Sequence, residues 1–251
     1  MTTPLIEFVN VKKRFGNIRV MDGLNLSIHR GQITAVIGKS GSGKSVLLKH
    51  IIGLEEQDSG SIFYDGRDMA QMDRTARRKF KKRVSYMFQD NALFDAMTVF
   101  ENIALPIVEK STLSREEIKE RVLTRVNQLD ITGTEEKYPA QLSGGMRKRV
   151  ALARALITDP EVVLFDEPTT GLDPVRKQGV HGMIKEYQAQ FGFTALVVSH
   201  EIPEIFDIAQ QVAMLDQGKI ILQDNTEQFL RTNLDVVRCF IHGKEKTGEK
   251  I

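Results

Sequence analysis

One cysteine, Cys239, is all the thiol chemistry that 251 residues provide. No disulfide can close within the chain, and a reducing compartment is expected. Proline is scarce, at seven residues, while 41% hydrophobic and 27% charged residues give the balance of an ordered globular protein. A large excess of one charge is missing too. The net charge of +2 is too small to argue for nucleic acid, and no nucleic-acid partner is expected. Basic residues do gather between Arg74 and Arg83, a run that reads as the solvated face of a helix because charged side chains rarely leave water. Long apolar runs are also lacking. Val162 to Phe165 and Ala195 to Val198 are strand-sized, far below the ~18 residues of a membrane span. The start, MTTPLIEF, has neither the basic residues nor the apolar stretch of a secretory signal. A cytoplasmic location is therefore expected.

What is present is ordered punctuation. Residues 5 to 11 and 18 to 28 alternate apolar and polar side chains, as in Leu24, Leu26 and Ile28, which predicts antiparallel strands in an N-terminal β lobe. Ile33 to Ile37 reads as a strand, followed by a glycine-rich loop and the helical stretch LLKHIIGL. Residues 60 to 65 return to strand before the Asp65-Gly66 turn. Ser114 and Glu117 form a capping box ahead of a helix that puts Ile118, Val122, Val126 and Leu129 on one face. Helices are expected over residues 98 to 157. Val162 to Phe165 and Thr194 to Val198 read as buried parallel strands, with a helix near 175 to 189 between them. Pro203 suits the first turn of a short helix, and residues 211 to 223 read as a closing hairpin around Gln217-Gly218. The charged tail after Gly243 is expected to fray. Phe229, Val236, Val237 and Phe240 before it fit either packing against the domain or a neighbouring subunit.

The chemistry starts at Gly38-Lys39-Ser40-Gly41-Ser42-Gly43-Lys44-Ser45. This is G-x-x-x-x-G-K-[ST] between a strand and a helix, the setting in which backbone N–H groups curl around phosphate oxygens. Lys44 is placed to reach the β and γ phosphates, the Ser45 hydroxyl to coordinate Mg²⁺, and the helix N-terminus adds partial positive charge. Far downstream the strand Val162-Phe165 ends in Asp166-Glu167. Asp166 can hold Mg²⁺ through water and Glu167 can polarise an attacking water.

Leu142-Ser143-Gly144-Gly145-Met146 then opens an arginine-rich helix. Together with the phosphate loop it resembles the signature motif of ABC ATPases, and the resemblance covers nearly the whole chain. It makes Gln89 the Q-loop glutamine, Gly171-Leu172-Asp173 the D-loop, His200 the switch histidine and Phe15 the ring stacked on adenine. The implied fold is α/β, a P-loop NTPase with an N-terminal antiparallel β subdomain, a RecA-like parallel core and an inserted helical subdomain at about residues 90 to 157. All 251 residues then form one ATPase domain, with a C-terminal tail from about 225. The resemblance implies ATP and Mg²⁺ as cofactors. Glu167, His200, Lys44 and Gln89 become the catalytic set, and Ser45, Gln89 and Asp166 the metal set. Nucleotide contacts fall to Phe15, Gly38, Lys39, Ser40, Gly41, Ser42, Gly43, Lys44, Ser45, Val46, Ser143, Gly144, Gly145 and Asp173. It also implies a homodimer, in which Ser143, Gly144 and Gly145 meet the γ-phosphate of ATP held by the opposite subunit.

Two departures narrow the group. Met146 stands where glutamine is more usual, and Val46 where threonine often follows the phosphate-loop serine. With the stretches at 43 to 54, 87 to 106 and 142 to 156, they resemble the ATPases of Mla-type bacterial phospholipid transporters. That likeness implies an integral membrane permease, a periplasmic MCE lipid-binding component, and a peripheral position on the cytoplasmic side of the inner membrane. A polar amino acid importer shares the pattern around Gln89, and soluble ABC ATPases of DNA repair or ribosomes are a third class. Leu93, Phe94, Met97, Val99 and Phe100 suit either a groove for a permease helix or helical core.

Overall fold

The computed structural model describes residues 3–88, 92–110 and 113–242. Two sheets organise it. The first is antiparallel, with strands β1 (Ile6–Phe15), β2 (Ile18–Ile28), β4 (Ser59–Tyr64) and β5 (Arg67–Asp68) in the order β2-β1-β4-β5. The second has six strands in the order β10-β9-β3-β8-β7-β6, built from β3 (Ile33–Ile37), β6 (Val84–Met87), β7 (Val162–Asp166), β8 (Thr194–Ser199), β9 (Gln211–Asp216) and β10 (Lys219–Asn225). All its pairings are parallel except the closing β9–β10 hairpin.

Period-two alternation divides the parallel strands between two cores. Ile33, Ala35, Val163, Phe165, Ala195 and Val197 join one cluster, in which helices α3 (Val99–Lys110), α4 (Arg115–Gln128), α5 (Gly144–Leu156) and α6 (Pro174–Phe191) bury their apolar faces. Val36, Val162, Leu164, Leu196 and Val198 point the other way, against helix α1 (Lys44–Ile51) and the inner face of the antiparallel sheet. A strand covered on both faces has little room for polar side chains, and β3, apolar except for Thr34, is buried at all five positions. Each fully buried Leu, Ile or Phe contributes about 1.5–3 kcal/mol relative to exposure.

The α4 capping box forms as expected, with Ser114 N donating to Glu117 Oε2 at 2.7 Å and Glu117 N to Ser114 Oγ at 3.3 Å. The basic run becomes helix α2 (Arg74–Arg83), capped by Asp73, and buries only Phe80. Pro203 precedes a 3-10 turn, Glu204–Asp207, which tucks Ile205 into the core. The segment after β10 folds back on the domain as α7 (Thr226–Leu230) and α8 (Asp235–His242), with Phe229 and Val237 fully buried. Residues from Gly243 onward lie outside the described residues.

Candidate functional site

Residues 38 to 43 alone connect β3 to α1. Gly43 takes φ 102° at the N-cap of α1, a conformation that L side chains rarely adopt, and a Cβ there would meet Val20 of β2 at 2.7 Å. A Cβ at Gly38 would collide with the Leu215 carbonyl oxygen. The loop is thus compressed between its sheet neighbours, and its backbone is left to line a cradle. Ser42 Oγ is buried in it without a hydrogen-bond partner among the described residues. Such an atom costs about 1–3 kcal/mol unless a ligand or water satisfies it.

Lys44 is 5% exposed, and its Nζ donates to the carbonyls of Gly38 at 2.9 Å and Lys39 at 3.1 Å. A third contact comes from another strand: Glu167 Oε1 lies 3.2 Å away. Beside Lys44, Ser45 Oγ donates to Asp166 Oδ1 at 2.8 Å. A hydroxyl and a carboxylate at the foot of a phosphate cradle form the hard oxygen set that magnesium takes together with phosphate oxygens and water. Among the described residues no cluster of three or more His, Cys, Asp or Glu could hold a metal by itself. Magnesium does not need one, because nucleotide phosphates complete its shell.

Parallel register carries the second half of the site. Asp166 pairs with Val198 across β7 and β8, and Glu167 N donates to the Val198 carbonyl at 3.0 Å. Both strands therefore end together, which puts Glu167 next to His200. Glu167 has φ 50°, in the left-handed region, a conformation costing on the order of 1–3 kcal/mol that tends to persist at functional positions. Its Oε2 accepts from the His200 backbone N–H at 3.2 Å and lies 2.8 Å from His200 Nδ1. An ionised carboxylate only accepts, so in that pair Nδ1 carries the hydrogen.

The expected residues fall into two groups. Gly38 to Ser45, Asp166, Glu167 and His200 come together through the contacts above. Phe15, at the end of β1, is 41% exposed, with Lys13 Nζ 5.0 Å from its ring centroid. Ser143, Gly144 and Gly145 are exposed at the start of α5, where Ser143 Oγ caps the helix by accepting from Met146 N at 3.2 Å. Gly144 and Gly145 border a cleft of about 500 Å³ between α5 and α6, edged by Arg147, Thr170 and Arg176, with no phosphate-loop residue in its lining. Asp173 caps α6 and pairs with Arg176 at 3.2 Å. Gln89 lies outside the described residues.

Several participants carry no motif. Tyr86 donates to Asp166 Oδ2 at 2.6 Å. Glu201, next to His200, accepts from Thr169 Oγ1 at 2.7 Å and pairs with Lys177 Nζ at 2.9 Å, linking the histidine's loop to α6. Burial alone would raise the Glu201 pKa, but its bonds to Lys177 and Thr169 outweigh it and hold the carboxyl below its ordinary value. Of the apolar residues after position 92, Val99 is fully buried and Leu93 and Phe100 pack on the core, while Phe94 is 50% exposed. Phe94 joins Phe88, Pro106 and Tyr86 along a groove of about 540 Å³.

A family model described as ABC transporter matches residues 21–170, well over half of the chain. The chain belongs to the ABC transporter family. It is the ATP-binding part of such a transporter. A Mycobacterium leprae protein named as a probable ribonucleotide transport ATP-binding protein is 36% identical over 239 residues, spanning 95% of this chain and 69% of the relative. The methionine import ATP-binding protein MetN of Brucella abortus is 39% identical over 219 residues, spanning 87% of this chain and 59% of the relative. Among solved ABC structures, CbiO1 of Clostridium perfringens, part of the transporter complex CbiONQ, superposes with a TM-score of 0.83 at 28% identity, covering 95% of this chain and 98% of that one. The ATP-binding cassette MJ0796, in a dimeric post-hydrolysis state bound to ADP and Pi, gives a TM-score of 0.75 at 28% identity, covering 88% and 98%.

Proposed function

We propose that this chain hydrolyses ATP between two copies of itself and drives phospholipid movement between bacterial membranes through a permease. The observation that carries the catalytic part is the Glu167 carboxylate held between Lys44 and His200, 3.2 Å from one and 2.8 Å from the other. Phosphate oxygens entering the cradle compete with Glu167 for the Lys44 ammonium. Once displaced, the carboxylate keeps its bond to His200 and is left with a free oxygen that can take a proton from an attacking water. His200 holds that carboxylate in orientation and, at 39% side-chain exposure, is open to a phosphate on its other nitrogen. Magnesium at Ser45 and Asp166 would neutralise charge developing on the transferred phosphate.

The dimer rests on a mismatch at the signature helix. Glycine in the body of a helix is less stable than alanine by roughly 0.5–1 kcal/mol, and Gly144 and Gly145 are the first two residues of α5. A Cβ at Gly145 would meet nothing within 4 Å, and at Gly144 only the Arg147 side chain at 3.9 Å. Nothing among the described residues demands glycine there. A close approach from outside does, and a γ-phosphate held by a second copy, facing the exposed helix N-terminus and Arg147, fits that demand. MJ0796, a cassette of similar fold, is dimeric in a post-hydrolysis state bound to ADP and Pi.

Among the described residues no helix is long and apolar enough to cross a membrane, so transport needs a membrane-spanning partner, and the groove at Phe94 suits a short helix from it. The ribonucleotide and methionine named for the relatives disagree about cargo. Val46, Met146 and the stretch from Met87 to Pro106 favour the Mla-type group, with a periplasmic MCE component and a position on the cytoplasmic face of the inner membrane. Amino acid import is the second reading, favoured by the likeness to MetN. Purification of the tagged full chain from detergent-extracted membranes tests both. A co-purifying permease that moves labelled phospholipid with ATP in proteoliposomes is expected. ATP-driven amino acid uptake by the same complex would replace the lipid assignment, and recovery with ribosomes or DNA would remove transport altogether.

A further inference from the structure

Two hydroxyl groups hold the Asp166 carboxylate, one on each oxygen. Ser45 donates to Oδ1 at 2.8 Å, and Tyr86 donates to Oδ2 at 2.6 Å. The second arises because β6 runs parallel to β7 with Tyr86 opposite Leu164, two residues before Asp166. The Tyr86 ring reaches along the sheet toward the strand end. Phe88 packs on it with centroids 4.4 Å apart at 45°. Toward an ionised carboxylate a phenol O–H can only donate.

We propose that Tyr86 is a positioning residue for the metal-holding carboxylate, locking the plane in which Asp166 meets magnesium beside Ser45. The proposal rests on the assignment of Asp166 to magnesium. With one oxygen tied to Ser45 and the other free, the carboxyl group turns about its own axis, and that freedom must be surrendered when a cation binds. With both tied, the carboxylate is already oriented. Hydrogen-bond partners of metal ligands typically contribute 10–100-fold to metal affinity. Tyr86 also lines the groove of about 540 Å³ that holds Phe94, so a single side chain reaches from that groove to the carboxylate.

The test uses Mn²⁺ as the probe, titrated into the full-length chain carrying a non-hydrolysable ATP analogue and followed by the electron paramagnetic resonance of the bound ion. Affinity for a fluorescent ATP analogue in EDTA is measured alongside. Tyr86→Phe is expected to need roughly tenfold more Mn²⁺ for half-saturation, with nucleotide affinity in EDTA unchanged. Phe88→Leu removes the ring contact, keeps the hydroxyl, and is expected to titrate as the parent does. A Tyr86→Phe curve superimposed on the parent's overturns the proposal. So does an equal shift in Phe88→Leu, or a parallel loss of nucleotide affinity in EDTA, either of which would reduce Tyr86 to a packing role. If the parent itself takes up no Mn²⁺ while binding nucleotide, the assignment of Asp166 fails first and carries the proposal with it.

Discussion

Glu167 Oε1 stands 3.2 Å from Lys44 Nζ, although 123 positions separate the two residues in the chain. The contact joins the strand that carries the phosphate loop to the strand that carries the acidic pair, and in the proposed function it gives the Lys44 ammonium an internal carboxylate to leave when nucleotide arrives.

Glu167→Gln keeps the side chain's shape and removes its ability to take a proton. Hydrolysis is expected to fall by about 10² to 10⁴, while ATP affinity stays within a few-fold of the parent. Steady-state phosphate release and equilibrium binding of a fluorescent ATP analogue measure the two effects separately. Normal turnover would remove Glu167 from its role.

Lys44→Ala deletes a charge-assisted contact to phosphate worth roughly 1.5–3 kcal/mol, about a 10- to 150-fold loss in nucleotide affinity. Isothermal titration with ATP checks it. An unchanged affinity would contradict the cradle.

Much of this arrangement was legible in the chain itself. Ile33 to Ile37 had to be buried because four apolar residues out of five, with only Thr34 between them, leave a strand no wet face, and it is buried at every position. The Ser114–Glu117 box and the Asp166-Glu167 strand end were readable because each rests on neighbours in sequence. Tyr86 and Glu201 were not. Their partners Asp166, Thr169 and Lys177 come from other elements, brought together by the parallel register of β6, β7 and β8 and, for Lys177, by the placement of α6. Phe229 and Val237 left two packing choices open in sequence, since an apolar residue on a short helix does not name the surface that covers it. The core of the same chain covers both.

That packing predicts a cost. Phe229→Ala removes a fully buried ring next to Phe206 and is expected to lower unfolding stability by about 3–5 kcal/mol. Urea denaturation measures it, and a loss below roughly 1 kcal/mol would mean that α7 contributes little to the domain.

Two buried histidines set an acid limit. Burial lowers the pKa of His181, against the opposing pull of Glu204, Glu201 and Asp207. Burial also lowers the pKa of His50, despite its bond to the Val46 carbonyl. Each is neutral in the folded chain at a pH where the unfolded chain already binds a proton. Stability is thus fully present above the ordinary histidine value of about 6.5 and falls as pH drops below it toward the lowered folded values, by up to about 1.4 kcal/mol per pH unit for each group. Denaturant unfolding between pH 7.5 and 5.5 is expected to show the decline, with a shallower slope in His181→Leu. An identical slope in that variant would show that His181 titrates normally.

The central claim is that one ATP is held by the phosphate loop of one copy and the signature helix of another, which sedimentation can read directly. With saturating ATP and magnesium, the Glu167→Gln chain is expected to sediment as a dimer, returning to monomer with ADP or when Gly145→Ala is added. A Glu167→Gln chain that stays monomeric while demonstrably loaded with ATP, or a dimer indifferent to Gly145→Ala, would contradict the account.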